Sequence, residues 1–260
     1  MASSPAQSVS RKRLRPVARP RQLDLPARTH GGARKGSGRK RTTGRARVPH
    51  RKRPELDRNH PLHVTIRIVA GVPRLRARDS MRTIVQVLRS ARGRFGVHVV
   101  QFALMEDHLH LLVESEGTRS LGRGMRGLGT RLAIHLNRVL GRKGKLLEDR
   151  YHARPLTSPL EVRRGLAYVL NNYRKHAAAH GRWIAAHWVD PYSSARCFDG
   201  WRIPPVEAVR RSFDLGTSRP RTWLLCAGWR RHGLLDTAEV PGRVARRRRQ
   251  PDAANEREAA

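Results

Sequence analysis

Residues 105–114, Met-Glu-Asp-His-Leu-His-Leu-Leu-Val-Glu, leave the chain little conformational choice. Apolar residues alternate through Leu109, Leu111 and Val113, the period of a β-strand with one face on a core. On such a strand His108 and His110 project from the same face, and Leu109 turns into the core between them. Two imidazoles at that spacing on a rigid element make half of a divalent-metal site. Taken alone, His-x-His fits a pair of surface or hydrogen-bonded histidines better than a metal site.

The neighbouring segments supply a fold around this strand. Residues 62–69 are β-branched and roughly alternating, which reads as a first strand ended by Gly71-Val72-Pro73. From Ser80 the period changes. Met81, Ile84, Val85 and Leu88 recur as on an amphipathic helix that stops near Gly93. Residues 95–104 form a second strand, and the short gap at 105–107 implies a hairpin into the histidine strand. Leu121, Met125, Leu128, Leu132, Leu136 and Val139 make one apolar helical stripe closed by Gly141. Four glycines in the first half of that helix, Gly122, Gly124, Gly127 and Gly129, imply close backbone approach or a fraying start. Residues 146–156 read as extended. Ser158, Pro159 and Glu161 then spell a helix N-terminus with a capping box. Val162, Leu166, Val169 and Tyr173 are its expected buried stripe, and Gly181 ends the helical region. The resulting class is α+β, an antiparallel sheet with helices packed on one side.

Charge decides what such a domain meets. The 260 residues carry a formal net charge of +35, and the pI is near 11.9. Charge of that size and sign is a footprint for a polyanion, with nucleic acid first. No apolar run approaches the length of a membrane span, and no amphipathic basic helix with aromatic anchors marks a membrane surface. The N-terminus lacks a signal-peptide core, and a cytoplasmic, nucleoid-associated location follows as an expectation. Cys197 and Cys226 are too few for a zinc site and are expected to serve packing. Residues 1–59 contain no aromatic side chain and are rich in Arg, Pro, Gly and Ser, so a disordered basic arm is expected there, with a second tail at 241–260. Within the arm, Arg34, Lys35, Arg39 and Lys40 suit phosphate contact, or a solvated linker. Between the tails, residues 60–182 form the expected catalytic domain and residues 183–240 an extension with short helices.

The chemistry-bearing set is wider than the histidines. Tyr168 and Asn172 stand one turn apart on the flank of the last predicted helix, so both reach one point beside it. Tyr151, among Asp149, Arg150 and His152, could line the same site, whereas Tyr173 on the apolar stripe belongs to the core. Glu106, Asp107 and Glu114 flank the histidines and could assist a metal, but read first as solvated strand ends, and His63 on the first strand can face the histidine side without being counted as a ligand. Arg123, Arg126, Arg131 and Arg150 lie off the apolar stripes and suit a nucleic-acid groove or a solvated face.

Asp107-His108-Leu109-His110-Leu111-Leu112-Val113-Glu114, with Arg150-Tyr151-His152-Ala153 and Tyr168-Val169-Leu170-Asn171-Asn172, resembles the HUH single-tyrosine transposases, most closely the REP-associated tyrosine transposases of bacteria. The resemblance covers residues 60–180. One difference is that Asn172 is followed by Tyr173 and Arg174, where many relatives have Asn-Pro. The resemblance implies a ferredoxin-like HUH fold and Tyr168 as nucleophile. It implies Mg²⁺ or Mn²⁺ held by His108, His110 and Asn172. It further implies nicking and rejoining of single-stranded or hairpin DNA at repeat palindromes through a 5′-phosphotyrosine, by a monomer or homodimer. The alternative is a catalytically silent, domesticated DNA- or RNA-binding protein with the same basic surface.

Overall fold

The computed structural model describes residues 54–72, 75–205 and 214–242. Arg34, Lys35, Arg39 and Lys40 lie outside the described residues. The strands are β1 (Leu62–Arg67), β2 (Val97–Leu104), β3 (His108–Ser115) and β4 (His152–Pro155). The helices are α1 (Arg78–Ala91), α2 (Thr118–Val139), α3 (Pro159–Leu170), α4 (Asn172–Ala179) and α5 (Trp223–Cys226). All pairings in the sheet are antiparallel, in the order β2-β3-β1-β4. The succession β1-α1-β2-β3-α2-β4 in that order is the split βαβ arrangement of ferredoxin-like folds. It puts the histidine strand β3 in the interior of the sheet, between β2 and β1. Among the described residues no helix is long and apolar enough to cross a membrane.

One face of the sheet carries the larger core. Leu62, Val64 and Ile66 of β1 join Leu109, Leu111 and Val113 of β3 there, beneath α1 and α2. The α1 residues Met81, Ile84, Val85 and Leu88 are buried in it, as their spacing requires. Burying each Leu or Val of this set contributes about 1.5–3 kcal/mol. On β2 the strict alternation fails at Val99-Val100, where the pairing with β3 slips between Val99 and Gln101. The extra residue is a β-bulge, and it inverts which parity faces the core. Val97 and Val99 face α1 and α2 before it, and Phe102 and Leu104 after it.

The α2 stripe is buried from Leu121 to Leu136, but Val139 is exposed, and it is Leu140, one turn beyond Leu136, that packs on the core. The glycine-rich half does not fray, since the helix is regular from Thr118. Close approach explains Gly124: a Cβ there would sit 2.4 Å from Val97 Cγ2.

The other face is also covered, which corrects the expectation of helices on one side. Val100, Ala103 and Leu112 of the sheet form a second core with Val162, Leu166, Val169 and Leu170 of α3. Phe198, Trp201, Leu224, Leu225, Trp229 and Leu235 complete it. The physical reason is in β3 itself. Leu111, Leu112 and Val113 follow one another without a polar residue, so this stretch of β3 is satisfied only by burial on both faces. Glu114 is no solvated strand end. It is buried at 3% exposure, and it accepts hydrogen bonds from the Arg221 and Thr222 backbone amides and the Thr222 hydroxyl. Cys197 and Cys226 are both exposed rather than packed in either core. At the other end Leu56 packs on the first core, so ordered packing reaches back past residue 60.

Candidate active site

The β1–β3 register places Thr65 opposite His110 and Arg67 opposite His108. Opposed residues of an antiparallel pair share a face. His63, Thr65, His108 and His110 therefore stand on the second face, which α3 and α4 cover. His110 is buried at 4% exposure. Its Nε2 lies 2.9 Å from His108 Nε2, and its Nδ1 lies 3.1 Å from His63 Nε2 and 3.2 Å from Thr65 Oγ1.

Tyr168 reaches this cluster from α3. Ser158 caps the helix by accepting from the Glu161 amide, with Pro159 in the first turn. Glu161 reaches back to the Thr157 amide and hydroxyl. So anchored, α3 sets the half-buried Tyr168 ring edge-on to His110, with centroids 5.2 Å apart, and 5.3 Å from His63. Lys175 Nζ lies 4.5 Å from the centre of the same ring. The structure thus brings Tyr168 and the histidine pair together.

Asn172 lies between two such contacts. Tyr168 is one turn before it, and His176 is one turn after it, with its ring 6.3 Å from that of His108. The helix does not run straight through. α3 ends at Leu170, and Asn171 (φ −104°, ψ 19°) separates it from α4. Asn171 turns away and donates from Nδ2 to the Asp236 and Glu239 carbonyls. Asn172 is fully buried, and neither its Nδ2 nor its Oδ1 has a hydrogen-bond partner. A buried amide left so costs about 1–3 kcal/mol unless a ligand supplies the partner.

Asp107 stays solvent-exposed at the strand end, as expected, and from there it pairs with His108, Oδ1 to Nδ1 at 2.6 Å. Burial pushes its carboxyl pKa up, but the hydrogen bond to His108 and the nearby charges of His108 and Arg67 outweigh this and hold it below the usual range. Burial lowers His110 to about 2, reinforced by the like charges of His108 and His63. Burial, followed by His152 and Arg154, lowers His63 to about 4. Burial also lowers His176, with His108 and Lys175 adding to it. Neutral imidazoles keep lone pairs for a metal at neutral pH.

These shifts make an acid-stability prediction. His63 and His110 fall below their ordinary 6.5 on folding. The unfolded chain then binds protons that the folded chain refuses below about pH 6.5, and stability falls wherever pH drops through such a window. The unfolding free energy of the metal-free protein, from urea titration, should hold near neutrality and drop between about pH 6.5 and 4, by a few kcal/mol in all. Equal values across that window would show that these rings are not buried neutral.

Among the described residues no three His, Cys, Asp or Glu side chains are disposed to hold a metal ion by themselves. The donor set that fits is two imidazoles and an amide. An amide oxygen suits Mg²⁺ or Mn²⁺, and neutral imidazole nitrogens would bind a divalent first-row ion beside it.

The remaining sequence candidates sit elsewhere. Tyr151 turns opposite to His152 and packs on the α1–α2 side. With Arg126 and Arg150 it lines a groove of about 620 Å³ between α2 and residues 144–151. Arg123 is exposed on α2 and Arg131 is half-buried, so all four candidate arginines lie across the sheet from the histidines. Tyr173 is half-buried rather than core. Its ring stacks on Arg76, 4.3 Å from the guanidinium, and Arg76 in turn binds Asp190 and the Leu104 carbonyl at the start of the hairpin. Glu106 stays exposed, 3.9 Å from Arg76 Nε.

Sequence reasoning missed the walls of the cleft beside Tyr168. This space, about 710 Å³, is lined by His63, Tyr168, Arg154, Arg163, Arg164 and residues 239–242 among others. Arg163 is consumed by Glu239 and two carbonyls, and Arg154 pairs with Glu161 while remaining exposed. Two signals could have found them: Arg154 alternates with His152 on β4, and Arg164 precedes Tyr168 by one helical turn.

No family model and no curated protein matches the chain. Among solved structures it is similar to a REP-associated tyrosine transposase bound to a REP hairpin, with 14% identity and a TM-score of 0.41, over 56% of this chain and 82% of that one.

Proposed function

We propose that the protein nicks and rejoins single-stranded or hairpin DNA as a transposase does, with Tyr168 as nucleophile. The observation that carries this reading is the placement of a half-buried phenol edge-on to the buried His110 ring, whose Nε2 lies 2.9 Å from that of His108, with Asn172, a buried amide lacking a hydrogen-bond partner, four residues beyond the phenol. His108, His110 and Asn172 would hold Mg²⁺ or Mn²⁺, which when bound neutralises charge on a non-bridging phosphate oxygen.

The chain's own groups account for the rest. A tyrosine hydroxyl ionises near pH ~10 and is a weak nucleophile alone. The Lys175 ammonium over its ring favours the developing phenolate. Tyr168 Oη bonds to phosphorus, and the bond from phosphorus to the 3′ oxygen breaks. The phenol proton is balanced by the one the departing 3′-OH gains. The 5′ end stays on the protein, and a second 3′-OH reverses the step without ATP. Arg154 and Arg164 flank the cleft and suit the strand's phosphates.

The test uses labelled hairpin repeats from beside the protein's own coding sequence, with Mn²⁺ or Mg²⁺. The expected result is an adduct that survives denaturation, vanishes with chelator and releases a fragment whose 3′ end a polymerase can extend. DNA that binds yet yields no adduct would favour a silent binding protein instead.

A further inference from the structure

Which nitrogen of each ring carries the proton decides whether the histidine pair can accept a cation at all. His108 Nδ1 faces Asp107 Oδ1 at 2.6 Å, and an ionised carboxylate can only accept. The His108 proton is therefore on Nδ1, and its Nε2 presents a lone pair to His110 Nε2 at 2.9 Å. His110 has two ways to answer. With its proton on Nε2 it donates to His108, and the pair is closed to an ion. With its proton on Nδ1, two lone pairs face one point and repel unless a cation lies there. The second state requires an acceptor for the Nδ1 proton within a buried setting. His63 Nε2 at 3.1 Å and Thr65 Oγ1 at 3.2 Å are in reach.

We infer that His63 is a positioning residue of the cation site: its Nε2 accepts the His110 Nδ1 proton and so turns the His110 Nε2 lone pair toward the ion. Thr65 is the auxiliary acceptor. His63 is not itself a ligand, because it addresses the Nδ1 edge of His110 while the ion takes the Nε2 edge. Asp107 does for His108 what His63 does for His110. Partners of this kind fix the tautomer of metal-bound histidines, and their loss commonly weakens metal affinity 10–100-fold. The inference rests on the cation reading of His108 and His110 given above.

The test is Mn²⁺ affinity of the full chain without DNA, read by the electron paramagnetic resonance of free Mn²⁺. His63→Phe keeps a ring in place but removes the acceptor, and should weaken Mn²⁺ binding about 10–100-fold. His63→Gln, whose amide oxygen can accept the same proton, should recover most of the loss. Adding Thr65→Val to His63→Phe should deepen it, and melting temperatures report whether each variant folds. Nitrogen NMR of the imidazoles with Mg²⁺ should show His110 protonated on Nδ1 in the wild type and in His63→Gln. Wild-type affinity in His63→Phe, or a His110 proton on Nε2 with Mg²⁺ bound, would remove the role assigned to His63 and leave the proposed function standing. A wild-type protein that binds no Mn²⁺ would overturn both.

Discussion

Tyr168→Phe is expected to abolish the covalent DNA adduct while leaving the protein folded and able to bind the same hairpin. The change removes one oxygen. The ring that packs against His63, His110 and Lys175 remains, so stability should move by less than about 1 kcal/mol. Loss of a nucleophile is far more costly to turnover, and a fall of ~10³-fold or more in adduct formation is the expected scale. Tyr151→Phe and Tyr173→Phe are the matched controls. Tyr151 lies on the α1–α2 side of the sheet, and Tyr173 stacks on Arg76. Both variants should keep forming adduct, measured by retention of labelled DNA on denaturing gels.

His110→Ala is expected to produce the second large effect, in two readouts that move in opposite senses. Adduct formation should fall about 10²–10³-fold, the scale on which a lost electrostatic contact to the reacting phosphate acts. Mn²⁺ affinity should fall with it. Acid sensitivity, by contrast, should lessen. The wild-type ring resists protonation down to about 2, so removing it removes one of the groups whose proton uptake on unfolding costs stability at low pH. The variant's urea midpoint should therefore decline less steeply than the wild type's as pH is lowered from 6.5. A ring that merely filled space would lose stability equally at every pH.

Much of this was legible in the chain before any coordinates. Alternation through Leu109, Leu111 and Val113 fixed the direction of His108 and His110, because on a strand neighbouring residues must diverge. Helical spacing put Tyr168 on the flank of α3 that meets the histidines, and α3 begins where Ser158 and Pro159 indicate, but the break at Asn171, which puts Asn172 on a separate helix, has no sequence signal such as Gly or Pro. What escaped notice depends on contacts between distant segments. The covering of the second face required Leu112 to be read as buried toward α3 rather than as part of a one-sided strand. The bulge at Val100 was hidden, because a Val-Val doublet carries no turn residue. Asp107 is the exposed strand end its position suggests, but nothing in its own spacing reveals that it also bonds the next residue's ring. The relation of His63 to His110 depends on strand register, and a one-residue slip would have sent His63 to the other face.

The central claim is that a phenol from α3 and an imidazole pair from β3 act on one phosphate. Tandem mass spectrometry of the protease-digested adduct tests it most directly. The account predicts a 5′-phosphodeoxynucleotide on the peptide that carries Tyr168. The same mass on Tyr151, Tyr173 or Tyr192, or on any other residue, would contradict it.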